Sequence, residues 1–259
     1  MPVMESPSAA VERALSILEA VAHRAGGLNN AEISRKLEIP KSSASYILRT
    51  LERHGYLRRE RESGKYRVGL KILSLSRDIL TGLDIRGVAL PTMRDLVQRS
   101  NLTCHLAVLD GAEAVYIEKT EPEDFIQMHT WIGRRLEVHT TGIGKVLVAY
   151  ATEETVQRVI QERGLKKITP KTITNAPKFL RELEKVRLQG YAIDDEENSI
   201  GVRCIAAPIF SQPGIIEASI SVSGTIQRVT PDTIPRLAEM LKEAARRISH
   251  QLGYRSSAR

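Results

Sequence analysis

Residues 28–69 read LNNAEISRKLEIPKSSASYILRTLERHGYLRRERESGKYRVG, and this stretch restricts the fold more than any other part of the chain. Asn29 can cap a helix, with Glu32 three residues on as its capping-box partner and Ile33 and Leu37 pointing inward. Pro40 stops that helix, because the residue before a proline, Ile39, is pushed out of the helical region. A further helix starts near Lys41 or Ser42. Its apolar stripe is Ala44, Ile47, Leu48 and Leu51; Ser42, Tyr46, Arg49 and Arg53 fall on the opposite face, flanked by Ser45 and Thr50. Gly55 ends it. Two short helices joined by a tight turn make a helix-turn-helix. Upstream, Val11, Ala14, Leu15, Leu18 and Val21 recur at helical spacing. Downstream, YLRRERESGKYRVG alternates around Ser63-Gly64, a β-hairpin with Leu57, Tyr66 and Val68 inward and Arg58, Arg59, Arg61, Lys65 and Arg67 outward. That order predicts a winged helix-turn-helix domain over 1–69.

A short, polar, basic helix face fits the major groove of double-stranded DNA, where Arg can fork onto guanine. The candidate groove-facing residues are Lys41, Ser42, Ser43, Ser45, Tyr46 and Arg49. Arg58, Arg59, Lys65 and Arg67 in the wing can neutralise phosphates, which gives affinity with little sequence preference. Charge agrees: the chain carries +7, and residues 1–69 hold twelve Lys and Arg against eight Asp and Glu. Taken alone, the same residues also suit a small helical domain with a solvated basic hairpin. One winged module has a small footprint, so a dimer on repeated half-sites is expected.

LKILSLSRDILTG, 70–82, has a broad apolar face formed by Ile72, Leu73, Leu75, Ile79 and Leu80. It predicts a linker helix over 70–83, packed either on its own chain or on its copy in a second subunit. From 84 to 259 the pattern changes. Residues 84–99 form a helix kinked at Pro91. CHLAVLDGAEAVYIEK is a hairpin about Asp110-Gly111, and FIQMHTWI is a strand. EETVQRVIQERG and APKFLRELEKVRLQG are helices ending at Gly164 and Gly190. YAIDD, GVRCIAAPIF and GIIEASISVSG are strands, and a last helix runs from Thr230-Pro231 to about Leu252. Hairpins with helices before, between and after them make an α+β domain on a largely antiparallel sheet. No apolar run reaches the roughly 18 residues of a membrane span, and the N-terminus lacks a basic start and apolar core. A cytoplasmic protein without membrane contact is expected, its two cysteines, Cys104 and Cys204, free thiols.

TTGIGKVL at 140–147 raises the question of a phosphate loop. A Walker loop requires G-x-x-x-x-G-K-[ST]. Here Val146 follows Gly144-Lys145, and His139 stands where the first glycine belongs, so nucleotide binding fails at two positions. A helix still starts at Gly142–Gly144. Its free N–H groups and partial positive charge suit a carboxylate, and glycine permits close approach.

AVERALSILEAV, AEISRKLEIPKSSASYILRTLERHGYL, YRVGLKILSL, GRRLEVHTTGIGKVLVAY, GYAIDDEENSIGVRCIAAPIF and ISVSG together resemble an IclR-family transcriptional regulator over nearly the whole chain. The resemblance implies a GAF-like effector-binding domain over 84–259 and small organic acids as effectors. It further implies homodimers that often pair into homotetramers, and regulation of a catabolic operon. It places the acid-binding amides on Gly142 and Ile143, a polar wall on Asp194, Cys204, Ser221 and Ser223, and an apolar wall on Met128, Leu136 and Val202. Some relatives have alanine where this chain has Ile143, whose bulk narrows the pocket. An ionised Asp194 would repel an anion, so it is expected to be protonated or to accept from a ligand hydroxyl. Hydroxy acids are therefore favoured, then keto acids.

Two other classes compete. An α+β enzyme or metal-binding protein with an accessory DNA-binding head could use His105, His129, His139 and the cysteines, but their spacing matches no metal motif. Cys104 and His105, adjacent in a strand, face opposite sides. No cofactor, metal or catalytic residue is expected. A DNA-architectural protein would have no need of the large, weakly charged C-terminal domain.

Overall fold

The computed structural model describes residues 8–75, 84–123 and 129–254. The chain divides into two compact units, Met1–Gly82 and Leu83–Arg259.

In the first unit, α1 (Ala9–Ala22), α2 (Asn30–Leu37) and α3 (Lys41–Arg53) precede the hairpin β1 (Leu57–Arg59) and β2 (Tyr66–Val68). Both halves of the capping box form: Glu32 N–H donates to Asn29 Oδ1 at 2.9 Å and Asn29 N–H to Glu32 Oε2 at 2.8 Å. α2 ends before Pro40, at Glu38, which is left-handed at φ 54°. Asn30 Nδ2 donates to Lys41 O at 3.2 Å and Ser34 Oγ to Ile39 O at 2.6 Å, closing the turn between α2 and α3. Ile17, Val21, Ile33, Ala44, Ile47, Leu48, Leu57 and Tyr66 fill the core. Each large apolar side chain so buried stabilises by about 1.5–3 kcal/mol. The inward face of α1 differs from the expected one. Ile17 and Val21 set it, with Ala14 and Leu18 partly covered, so Val11 and Leu15 fall on the exposed flank. Residues 71–75 are helical; the rest of the expected 70–83 helix, Ile79 and Leu80 included, lies outside the described residues.

The second unit opens with α4 (Asp84–Ser100), which continues through Pro91. Its six-stranded sheet has the order β5-β4-β3-β8-β7-β6, every pairing antiparallel. The strands are β3 (Thr103–Asp110), β4 (Glu113–Thr120), β5 (Arg135–Glu137), β6 (Ala192–Asp195), β7 (Val202–Gln212) and β8 (Ile215–Thr225). α5 (Gly142–Ala149), α6 (Glu153–Arg158) with a π-helical turn at Val159–Arg163, and α7 (Ala176–Gln189) lie between β5 and β6, and α8 (Ile234–Gln251) closes the unit. Period-two alternation gives the sheet two buried faces. Cys104, Leu106, Ile205, Ile220 and Val222 pack on α4 and α8 through Met93, Leu96, Leu241 and Ile248. Ala107, Ala114, Ala192 and Ala206 face Val146, Leu147, Phe179 and Leu183 of α5 and α7.

Three sequence expectations move. Asp110 pairs with Glu113, so the β3–β4 loop is Gly111 (φ 61°) and Ala112. In FIQMHTWI, residues 129–132 are not strand and 125–128 lie outside the described residues. The strand beside β4 is Arg135–Glu137 instead, which turns Leu136 into the core. The final helix begins at Ile234, because Thr230 N–H bonds Thr233 Oγ1 at 2.9 Å in a turn ahead of it.

Candidate functional site

A cavity of about 570 Å³ lies on the α5 side of the sheet. Strand register composes its floor. Asp194 on β6 pairs with Cys204 on β7, Cys204 with Ser223 on β8, and Ser221 with His105 on β3. Leu136, Gly142, Ile143, Asp194, Val202, Cys204, Ser221 and Ser223 all line it. Of the residues expected at the pocket, Met128 alone lies outside the described residues.

The start of α5 forms one wall. Thr141 is its N-cap, and Thr141 Oγ1 accepts from Gly144 N–H at 3.1 Å. The first helical bond is Lys145 N–H to Thr141 O at 2.9 Å. The N–H groups of Gly142 and Ile143 therefore have no hydrogen-bond partner among the described residues, as helix geometry requires of first-turn donors. The two glycines differ in role. A Cβ at Gly142 would meet Ala206 Cβ at 3.5 Å, ordinary contact. One at Gly144 would stand 2.3 Å from Val138 Cα, so Gly144 admits the chain's own backbone and not a ligand.

Asp194 is 2% exposed, and its Oδ1 accepts from Glu197 N–H at 2.7 Å and Asn198 N–H at 3.3 Å. Burial pushes its carboxyl up to about 7, against the lowering pull of those N–H groups and of Lys145. Lys145 is wholly buried. Its Nζ lies 2.6 Å from Glu197 Oε1 and 3.2 Å from Glu182 Oε1. Thr172 Oγ1 donates to Glu197 O at 2.7 Å and Thr169 Oγ1 to Glu196 O at 2.7 Å. The pocket loop bearing Asn198 and Ser199 is thus tied from below.

Sequence reasoning missed part of the wall: His105, Tyr116, Trp131, Arg134, Thr141, Asn198 and Ser199. Alternation along β3 already turned His105 away from Cys104, and threonine before a helix-starting glycine is an N-cap signal. His105 stacks on Tyr116, centroids 4.4 Å apart, and its Nε2 lies 2.8 Å from Thr130 Oγ1. His139 is elsewhere, its Nε2 2.9 Å from Lys166 O. Cys104 and Cys204 are free, and burial pushes both thiols up. Among the described residues no cluster of three or more His, Cys, Asp or Glu could hold a metal ion, and no helix is long and apolar enough to cross a membrane.

In the first unit, α3 presents Lys41, Ser42, Tyr46, Arg49 and Arg53 exposed, with Ser43 and Ser45 half-buried at the edges. Tyr46 stands out at 70% exposure. Ser45 and Arg49 share a groove with Arg59 and Gly64 of the hairpin. Two wing cations are held in place within the chain. Arg67 lies 3.4 Å from Glu60, and Arg59 lies over the Tyr66 ring at 5.8 Å. Arg58 is exposed and Lys65 half-buried, neither in an ion pair among the described residues.

Two family profiles match the chain: IclR helix-turn-helix domain over residues 10–61, and Bacterial transcriptional regulator IclR C-terminal over residues 77–250. The HTH-type transcriptional regulator XynR of Escherichia coli (strain K12) is 37% identical over 254 residues, covering 98% of this chain and 99% of that protein. The HTH-type transcriptional repressor AllR of the same strain is 32% identical over 255 residues, covering 98% and 94%. Among solved structures, an IclR homologue of Microbacterium hydrocarbonoxydans complexed with 4-hydroxybenzoate is 27% identical. It superposes with a TM-score of 0.81 over 95% of this chain and 99% of that one.

Proposed function

The chain belongs to the IclR family of bacterial transcriptional regulators, and from that premise we propose that a small organic acid controls its grip on operator DNA. The family is one of regulators, not enzymes. The observation that carries the proposal is the pair of N–H groups on Gly142 and Ile143, unbonded among the described residues, on a helix start lining a cavity whose other polar lining includes Ser221, Ser223 and Asp194. A carboxylate accepts from the two amides, where the helix terminus contributes about 0.3–1 kcal/mol, up to roughly 2 when partly buried. Ser221 and Ser223 hydrogen-bond the acid, Leu136, Ile143 and Val202 cover its carbon chain, and Met128 completes the apolar wall. Asp194, with its carboxyl near 7, meets a ligand hydroxyl. Hydroxy acids are the preferred class, keto acids the second. The hydroxy acid 4-hydroxybenzoate in the Microbacterium homologue supports that order.

DNA is read by residues 1–69, with Lys41, Ser42, Ser43, Ser45, Tyr46 and Arg49 in the groove and Arg58, Arg59, Lys65 and Arg67 toward phosphates. Residues 70–83 link that head to the effector domain, 84–259. The working form on DNA is a homodimer, or a homotetramer of two such dimers, acting in the cytoplasm on an operon that consumes the effector. The acid shifts DNA affinity by the difference between its affinities for the two conformations. Calorimetry with hydroxy, keto and aromatic acids on wild type, Asp194→Ala and Ser221→Ala tests the site. Acids that bind with affinities unchanged by both substitutions would move the site elsewhere.

A further inference from the structure

The acid-binding reading accounts for one end of the cavity; the other end is built differently. Gly142 lies over β6 and β7, where an added Cβ would meet Ala206. Across the sheet, Tyr116 N–H on β4 donates to Arg134 O at 3.1 Å, so Arg134 runs beside Tyr116. Tyr116 stacks on His105, and His105 pairs with Ser221. Between Ala206 on β7 and Tyr116 on β4 there are three strand spacings, roughly 14 Å of backbone separation.

Arg134 lines the cavity, and its guanidinium makes no ion pair among the described residues. One nitrogen donates to His129 O, and the group lies over the Trp131 ring at 5.2 Å. A guanidinium has five donors in a planar fork suited to a carboxylate, so donors remain. His105 is 1% exposed, lines the same cavity, and its Nδ1 has no hydrogen-bond partner among the described residues. Burial, with Lys119 and Arg134 nearby, holds the imidazole down to about 3, so it stays neutral. The result is one positive charge at the end of the cavity away from the Gly142 amides, with a buried ring nitrogen, Nδ1, that donates in the tautomer whose Nε2 accepts from Thr130 Oγ1.

We propose that Arg134, with His105 and Trp131, forms a second oxyanion subsite, so that the cavity selects dicarboxylates over monocarboxylates of equal length. The proposal rests on the acid-binding reading and names the ligand class of the same site. One carboxylate sits on the Gly142 and Ile143 amides, and the other forks onto Arg134. Asp194 sits toward the amide end, its backbone N 3.5 Å from where a Cβ on Gly142 would stand.

Trp131 is the only tryptophan in the chain, so its emission reports this subsite directly. The experiment titrates the full-length protein with malate, 2-hydroxyglutarate and 2-hydroxyadipate. Their matched monoacids are 2-hydroxybutyrate, 2-hydroxyvalerate and 2-hydroxyhexanoate. Tryptophan fluorescence and calorimetry are read on wild type, Arg134→Gln, Arg134→Lys and Ser221→Ala. In wild type the best diacid should bind at least about tenfold tighter than its monoacid, the worth of one charged hydrogen bond. Arg134→Gln should bring that ratio toward one, and Arg134→Lys should keep part of it. A wild-type ratio near one, or a ratio that survives Arg134→Gln, overturns the subsite. Monoacid binding that Ser221→Ala weakens, with no diacid preference, would overturn the subsite and leave the acid-binding reading standing. No binding of any acid would overturn both.

Discussion

Replacing Lys145 with methionine removes a positive charge that has no access to water. Its Nζ is 2.6 Å from Glu197 and 3.2 Å from Glu182, and the side chains are 0%, 10% and 20% exposed respectively. Methionine fills most of the same volume, so packing changes little. The remaining effect is an uncompensated buried carboxylate. Removing one partner of a buried pair costs roughly 3–5 kcal/mol. At about 2–4 °C per kcal/mol for a domain of this size, the melting temperature should fall by about 6–20 °C. The pH dependence has a definite sign. Burial already raises the Glu197 pKa above 4.5, and Lys145 opposes that rise. Without Lys145 the folded pKa goes higher, so the folded state favours protonated Glu197. An acid with a raised folded pKa destabilises the fold once pH passes its unfolded value, and the penalty grows until pH reaches its folded value, where it levels off. The deficit should therefore grow as pH rises from 5 to 8, and Lys145→Met/Glu197→Gln should recover much of it. Circular dichroism melts of wild type and both variants across that range measure it. A drop under about 2 °C at pH 8, or a deficit indifferent to pH and to Glu197→Gln, would refute the reasoning.

Arg49→Ala should weaken operator binding by roughly 1–3 kcal/mol if the guanidinium forks onto a base, whereas Lys65→Ala should weaken all sequences alike and flatten the salt dependence; anisotropy titrations at several salt concentrations separate the two. Gly144→Ala forces a Cβ against the Val138 backbone, and should destabilise by about 1–3 kcal/mol or more, read as a lowered denaturant midpoint. Acid affinity should decline as pH rises through about 7, because Asp194 then ionises beside the bound anion. Asp194→Asn should abolish that slope in calorimetry, and a slope unchanged by the substitution would assign it to another group.

The parts of this molecule legible in sequence are those set by local rules. The Asn29–Glu32 capping box, the α3 stripe, the glycine stop at Gly190 and the end of α2 before Pro40 need only neighbours along the chain. Helices and strands of the second unit follow from periodicity and from turn glycines. The misplaced details depend on distant partners. Val11 and Leu15 fit a helical stripe as well as Ile17 does, and only packing against α3 and β2 decides which face turns inward. β5 is three residues long, too short to show a period, and its position is fixed by pairing with β4. The cavity was half legible. Ser221 and Ser223 share a face by alternation, and the helix start at Gly142 shows in the glycines. Asp194, Cys204 and Leu136 came from resemblance to a family. Arg134 and Tyr116 join the wall through cross-strand register, which a single sequence does not encode locally.

Whether an acid in the cavity sets operator affinity can be read from one titration. An operator duplex selected from a random pool is titrated by anisotropy, with and without the acid that mass spectrometry finds carried through gentle purification. The acid should shift the midpoint for wild type and fail to shift it for the Ser221→Ala/Ser223→Ala variant. Superimposable curves for wild type, under conditions where calorimetry shows the acid bound, would contradict it.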